Sequence, residues 1–276
     1  MKTVSSILIL FIITCVTHAQ IADTIVTMRG KIIGYVKEVT PDVVAYSNPN
    51  ETVVYKIEKG AVARICFASG RVEEFADLKT LANLNGAYEW EKVEVATTEY
   101  ETKGLYKIDL VSTKATGATV YSSVSHVQNR AIAKLKMATA LLGGNLVYIK
   151  SESIEGNIRS ENGERTTRTQ ILGTAYCSNL VDEVKFKELM EGGQKYTLIN
   201  KLGLRNNDAD IQVRKANNEP VNVVSFNVEK GFIYANLLIA KEKSETRCRV
   251  LSFSETLIVV AYKEGTAYYN LILAKR

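Results

Sequence analysis

The sequence predicts a mainly β fold with one α+β module: a small β barrel or sandwich, then a strands-helix-hairpin module, then an antiparallel β barrel or sandwich. Three observations predict it. Short runs rich in β-branched and aromatic residues, separated by Gly, Pro, Asn and Asp, recur near both ends of the chain. Residues 124–142 alone carry a long apolar stripe at steps of three and four. An Asn-Gly pair, Asn162-Gly163, stands between two runs that can both be strands, which is the strongest short-range hairpin signal.

The first 19 residues are set apart from this pattern. Lys2 precedes an apolar run at 7–13, and Thr17-His18-Ala19 has small residues at its first and third places. That is the form of a secretory signal, with cleavage expected after Ala19. Lipid attachment at Cys15 is the alternative. The apolar run is shorter than the roughly 20 residues a spanning helix needs, so no transmembrane span is expected after cleavage. Export is therefore predicted, to the periplasm, the outer membrane or the exterior. Cleavage takes Lys2 away and lowers the formal net charge from +5 to +4. With basic and acidic residues interspersed, that bias is too small to indicate a nucleic-acid partner. Removing 19 of the 276 residues leaves 257, enough for two or three modules. The 3 prolines and the aliphatic content argue against disorder.

Residues 20–77 form the first module. Candidate strands at 25–28, 31–39, 43–46, 53–57 and 61–67 are divided by Gly30, Pro41-Asp42, Asn48-Pro49-Asn50 and Gly60, the spacing of a small antiparallel barrel or sandwich. The stretches IVTMRGKIIGYVKEVTPDVVAYSN and YKIEKGAVARICFASGRVEEF, ending in Ile65, Phe67, Gly70, Glu73 and Phe75, resemble a small β module near the start of secreted and envelope proteins of Bacteroidetes-type bacteria. The Asn-Gly usual after its first strand is Arg29-Gly30 here. The resemblance implies compartment and fold, and it brings no catalytic residue.

Residues 78–91 read as a connector. A short helix is expected over 77–85, closed by Gly86, with Leu78, Leu81 and Leu84 on one side.

Residues 92–178 form the α+β module. Strands at 92–95 and 105–111 precede the helix, in which Val124, Val127, Ala131, Leu135, Ala138 and Leu142 make one stripe. Ser125 and Gln128 stand at capping-box spacing. At the far end Gly143 falls where a left-handed cap is expected. The following strand, 146–149, makes Gly143-Gly144-Asn145 a corner between elements. Anion loops use helix N-termini, and this corner lies at a C-terminus, so it reads as structure. A long hairpin follows, with a charged tip. Arg159, Arg165 and Arg168 make that hairpin the candidate docking element for a macromolecular partner, most simply another envelope protein.

The run AIAKLKMATALLGGNLVYIKS, followed by ILGTAY, is similar to the helix and strands of the YbjQ-like family and of the core of the Rcs envelope-stress sensor lipoprotein. The matching positions are Ala131, Leu135, Ala138, Gly144, Asn145, Val147, Gly173 and Ala175. The sensor's disulfides do not carry over, because Glu152 and Ile171 stand at the corresponding places. The heavy-metal label of the YbjQ-like family finds only His126 and Cys177 here, too few for a tetrahedral site.

Residues 182–276 form the last module. Candidate strands at 196–199, 211–214, 221–228, 232–240, 246–253, 256–262 and 267–273, joined by short turns, predict an antiparallel barrel or sandwich. Tyr234, Tyr262, Tyr268 and Tyr269 are either its core or the lining of a pocket for an apolar ligand.

Chemistry is sparse. His126 is the sole histidine beyond residue 19, and it reads as an exposed first-turn residue. The nucleophile-elbow, zinc-protease, P-loop and dinucleotide motifs do not occur. No cofactor or metal is expected; Asn206-Asn207-Asp208-Ala209-Asp210 lacks the glycine and distant glutamate of a calcium loop. Cys66, Cys177 and Cys248 are odd in number, so at most one disulfide forms among them and a thiol is left over. The reading that emerges is a non-enzymatic envelope protein acting as a binding or structural module. The alternative is a small-molecule or lipid carrier using the C-terminal barrel. A carboxylate hydrolase is a third class, since paired acids meet only in the fold.

Overall fold

The computed structural model describes residues 22–27, 30–75, 81–160, 163–191, 195–240 and 244–276. The expected signal segment 1–19 with Cys15, the first part of the expected connector helix and Asn162 at the hairpin tip lie outside the described residues.

The N-terminal module is one antiparallel sheet. β1 (Asp23–Thr27), β2 (Gly30–Val39), β3 (Val43–Ser47), β4 (Tyr55–Glu58), β5 (Val62–Cys66) and β6 (Val72–Glu74) run in the order β4-β3-β2-β1-β5-β6. Alternation, with a bulge in β5 between Val62 and Arg64, places Ile25, Val44, Val62 and Ile65 on one face, where they are wholly buried together. The Asp23 carboxylate accepts the N–H groups of Val36 and Ala68, each at 2.8 Å, and so ties β2 to the turn after β5.

The connector differs from expectation. Residues 81–84 are not helical, and a 3-10 segment runs over Ala87–Lys92. The leucines explain why: Leu81 packs with Ala96, Leu146 and Tyr176, whereas Leu84 packs against a different cluster around the long helix. Two destinations pull the segment open, and one helical stripe cannot serve both.

In the α+β module, β7 (Glu94–Ala96), β8 (Tyr106–Thr116), β9 (Leu146–Glu155) and β12 (Arg168–Cys177) form a sheet in the order β7-β9-β12-β8. The β7-β9 pair is parallel. Beyond Glu155 the hairpin continues as a two-stranded ribbon of β10 (Ile158–Ser160) and β11 (Gly163–Arg165). Across the sheet lies α1 (Val124–Leu141), with Val127, Ala131, Leu135 and Ala138 fully buried. Its cap is Ser123, whose Oγ accepts the His126 N–H at 3.1 Å, two residues before the expected capping box. Gln128 is spent elsewhere, donating to Glu152 at 2.9 Å.

The C-terminal module is a closed barrel of β13 (Lys195–Leu204), β14 (Gln212–Glu229), β15 (Phe232–Ile239), β16 (Thr246–Phe253), β17 (Leu257–Glu264) and β18 (Ala267–Lys275). The strands expected at 211–214 and 221–228 are one strand, β14. The presumed turn at Asn217-Asn218 is an irregularity between the Lys215 and Glu219 pairings, with Asn218 at φ 49°. A second helix, α2 (Glu183–Glu191), was not expected. Asp182 caps it, accepting the N–H groups of Val184 and Lys185 at 3.0 and 3.1 Å.

Barrel and α+β module are fused. Leu202, Leu204, Ala261 and Tyr268 on the outer barrel wall belong to the same buried cluster as Ala131 and Leu135 of α1. The barrel also covers the unpaired side of β8, the sheet's edge strand. The Tyr268 hydroxyl accepts the Ser112 N–H at 2.8 Å and donates to the Ser112 carbonyl at 3.2 Å, and Lys263 Nζ donates to the Leu110 carbonyl at 2.8 Å.

Candidate functional site

The candidate residues are scattered. Arg159 pairs with Glu164 and Arg165 with Ile158 across the ribbon, so the two arginine positions lie on opposite faces. Arg165 is exposed; Arg168 opens β12, and its Nε is buried without a hydrogen-bond partner. Cys66, Cys177 and Cys248 lie one in each module, and none of the three is in a disulfide. Cys66 is half-buried on β5, Cys177 is buried at the end of β12, and Cys248 is buried inside the barrel. His126 is exposed in the first turn of α1. Asp208 is taken up in its own turn, accepting the Arg205 N–H at 2.7 Å. Among the described residues no group of three or more His, Cys, Asp and Glu side chains converges.

What the fold does assemble is built on the glycine corner. Gly143 has φ +69°. Its N–H donates to the Ala140 carbonyl at 2.8 Å and that of Gly144 to the Thr139 carbonyl at 2.9 Å, the paired bonds of a Schellman motif. Two carbonyls at the helix end are then met by the barrel wall. Asn270 Nδ2 donates to the Leu141 carbonyl at 3.4 Å, and the Arg249 guanidinium donates to the Leu142 carbonyl. Arg249 is only 8% exposed, with the Phe232 ring 4.8 Å from its Cζ. Burial pulls its pKa down, and a hydrogen bond with the Cys177 thiol works in the opposite sense. The negative end of the α1 dipole favours this cation where it would repel an anion.

Asn145, the third residue of the corner, is fully engaged. Its Nδ2 donates to the Ala82 carbonyl at 3.1 Å and to Ser178 Oγ at 2.7 Å, and its Oδ1 accepts the Ser178 N–H at 3.1 Å. It locks the connector, β9 and the end of β12 together.

Beside this lock opens a cleft of about 320 Å³. The connector supplies Leu84 and Tyr88, the end of α1 supplies Ala140 and Gly143, and the barrel wall supplies Leu251 and Ile272. Asn83 and Asn179 form a polar edge, the Asn179 amide donating to the Asn83 Oδ1 at 2.6 Å. None of the lining residues carries a charge, and Cys177, Ser178 and Ser252 add further polar atoms. Sequence reasoning recognised the corner as structure and missed that it also walls a cleft, because the opposite wall lies more than 100 residues further along the chain.

The barrel interior is packed with apolar side chains. Leu198, Val223, Leu237, Val260 and Leu271 fill it, and Phe186 and Met190 of α2 pack into the same cluster. Of the four tyrosines expected there, Tyr268 faces α1 and Tyr234 stands half-buried under Arg247, whose Cζ lies 4.3 Å from the ring. Tyr262 and Tyr269 stack with centroids 4.9 Å apart.

Compared with family models, with curated proteins and with solved structures, the chain matches none of them.

Proposed function

We propose that this chain is an exported, non-enzymatic binding protein of the cell envelope, and that it holds a neutral, partly apolar ligand in the cleft between the end of α1 and the outer barrel wall. The cleft carries the proposal. Its volume of about 320 Å³ is that of a small-molecule site. Its walls come from segments fixed to one another by the Asn145 and Arg249 hydrogen bonds, so the shape exists before a ligand arrives. Uncharged amides at the edge and leucine and isoleucine within favour a molecule with hydrogen-bonding groups at one end and apolar surface at the other. Export rests on the signal-like residues 1–19.

The alternatives have less support. A lipid held inside the barrel would have to displace the packed interior described above. The ribbon offers its arginine positions on two opposite faces, which dilutes any single docking patch.

Ser252 is exposed and lines the cleft, so Ser252→Trp fills it without disturbing the core. Native mass spectra of the protein recovered from its own envelope fraction should show extra mass that is released on denaturation and is depleted in Ser252→Trp. A bare-chain mass for both proteins would overturn the proposal.

A further inference from the structure

We propose that the open end of the barrel is a seat for a phosphate group, either free in solution or carried on a larger molecule. The site is separate from the cleft. Up-and-down connectivity puts the β14-β15 and β16-β17 turns at one end of the barrel, together with the start of β13. α2 stoppers that end: Phe186 packs edge-on against Phe226 and Phe253, with centroids 5.3 and 5.4 Å away. The β13-β14, β15-β16 and β17-β18 connections lie at the other end.

There the inward face changes character. On β18 the buried Leu273 and Leu271 are followed on the same face by Tyr269, which pairs with Tyr262 on β17 and Gly203 on β13. On β13, beyond an irregularity at Leu198/Asn200, that face carries Lys201 and Gly203, with Arg205 just past the strand. On β14, Arg214 and Gln212 are the direct partners of Lys201 and Gly203. With Asp208, these residues enclose a recess of about 120 Å³.

Three cations and one carboxylate line this recess, and Glu264 acts on Arg205 from outside the lining. Lys201 and Arg214 stand directly opposite on neighbouring strands, an arrangement that destabilises a sheet unless something neutralises it. Asp208 does so only in part, since its carboxylate also accepts the Arg205 N–H at 2.7 Å. The donors are already aimed. Lys201 Nζ is fixed by a 2.7 Å bond to the Tyr262 hydroxyl and by the Tyr269 ring, 4.5 Å away, which leaves ammonium donors for a ligand oxygen. Arg205 and Tyr269 line the recess together. Two guanidinium forks and an ammonium offer more donors than the two oxygens of a carboxylate need, and they match the oxygens of phosphate. The recess has room for such a group alone, so a larger ligand would enter by its phosphate and leave the rest outside.

Arg214 is exposed, so Arg214→Gln removes a cation without touching the packed interior. Calorimetric titration of the secreted chain with inorganic phosphate at low ionic strength is the first arm. Sedimentation with phosphatidylcholine vesicles, with and without phosphatidic acid, is the second. The expected result is saturable binding weakened at least about tenfold by Arg214→Gln. In phosphate-free buffer the variant should melt no lower than the parent, because the cross-strand repulsion is gone. Binding of free phosphate alone assigns a soluble source; sedimentation specific to phosphatidic acid assigns a lipid headgroup. Silence in both arms, or binding that Arg214→Gln leaves unchanged, overturns the proposal. Ser252→Trp should bind phosphate normally, which keeps this test apart from that of the cleft.

Discussion

Tyr196 is wholly buried in the barrel interior, and its hydroxyl has no hydrogen-bond partner. An unsatisfied buried hydroxyl costs about 1–3 kcal/mol. Tyr196→Phe keeps the ring and removes the oxygen, so it should stabilise the protein by about 1 kcal/mol, seen as a higher urea midpoint. The alkaline limb gives a second readout. Burial raises the Tyr196 pKa above its ordinary 10.0. Above pH 10.0 the unfolded chain loses this proton while the folded chain keeps it, so stability falls as pH rises there, and the phenylalanine variant escapes that loss. A less stable variant would mean that the hydroxyl is satisfied by a buried water. The buried cations are the opposite case: Lys134 Nζ donates to the Lys114 and Asn206 carbonyls at 3.2 and 2.5 Å, and Arg249 to that of Leu142. Burial lowers the pKa of both, and each trades hydration for hydrogen bonds to backbone carbonyls. Nothing local in the sequence announced either role. A lysine beside an apolar stripe reads as a solvated flank until another module arrives to cover it.

Elements were more legible than residues, because periodicity reports one buried face well. The α1 stripe, the left-handed Gly143 and the long hairpin follow from local pattern. The same logic failed where one segment served two neighbours, as with Leu81 and Leu84, and where a polar residue had a distant partner, as with Gln128 and Glu152. α2 did leave a signal, Asp182 ahead of Phe186, Leu189 and Met190 at helical spacing, with a Glu183–Lys187 pair on the exposed side. The corner separates backbone strain from crowding. A methyl group on Gly143 would lie 2.9 Å from Leu251 Cδ2 and 3.3 Å from Arg249 Nη2, whereas one on Gly265, at φ +57°, would meet nothing within 4 Å. Gly265→Ala should therefore lose about 1–2 kcal/mol from the left-handed backbone alone. Gly143→Ala should lose a further 1 kcal/mol or so, because the barrel wall presses on the corner. Equal losses in denaturant titrations would mean that the wall yields freely.

At the scale of the molecule, a boundary read from composition runs through a shared buried cluster. The sequence separates 92–178 from 182–276, yet α1 is buried jointly by its own sheet and by Leu202, Leu204 and Tyr268 of the barrel. Such docking is invisible in sequence, since an outward apolar position on a barrel strand looks like any other alternation. The N-terminal sheet, by contrast, keeps its own cluster around Ile25, Val44, Val62 and Ile65. It approaches the rest where Gly60 and Ala61 come against Lys103 and Gly104. Calorimetry should accordingly resolve two transitions, one for the N-terminal sheet and one in which the α+β module and the barrel unfold together. Tyr268→Phe tests the coupling, because it strands the Ser112 N–H and carbonyl on the edge of β8. A loss of about 1–3 kcal/mol is expected. In a unit of this size that lowers the joint transition by roughly 2–4 °C per kcal/mol. The N-terminal transition should stay where it is. A third transition, or a melting of the barrel that leaves the α+β module intact, would show that the shared cluster does not couple them. The cleft at their junction would then lose the rigid walls on which its proposed ligand depends.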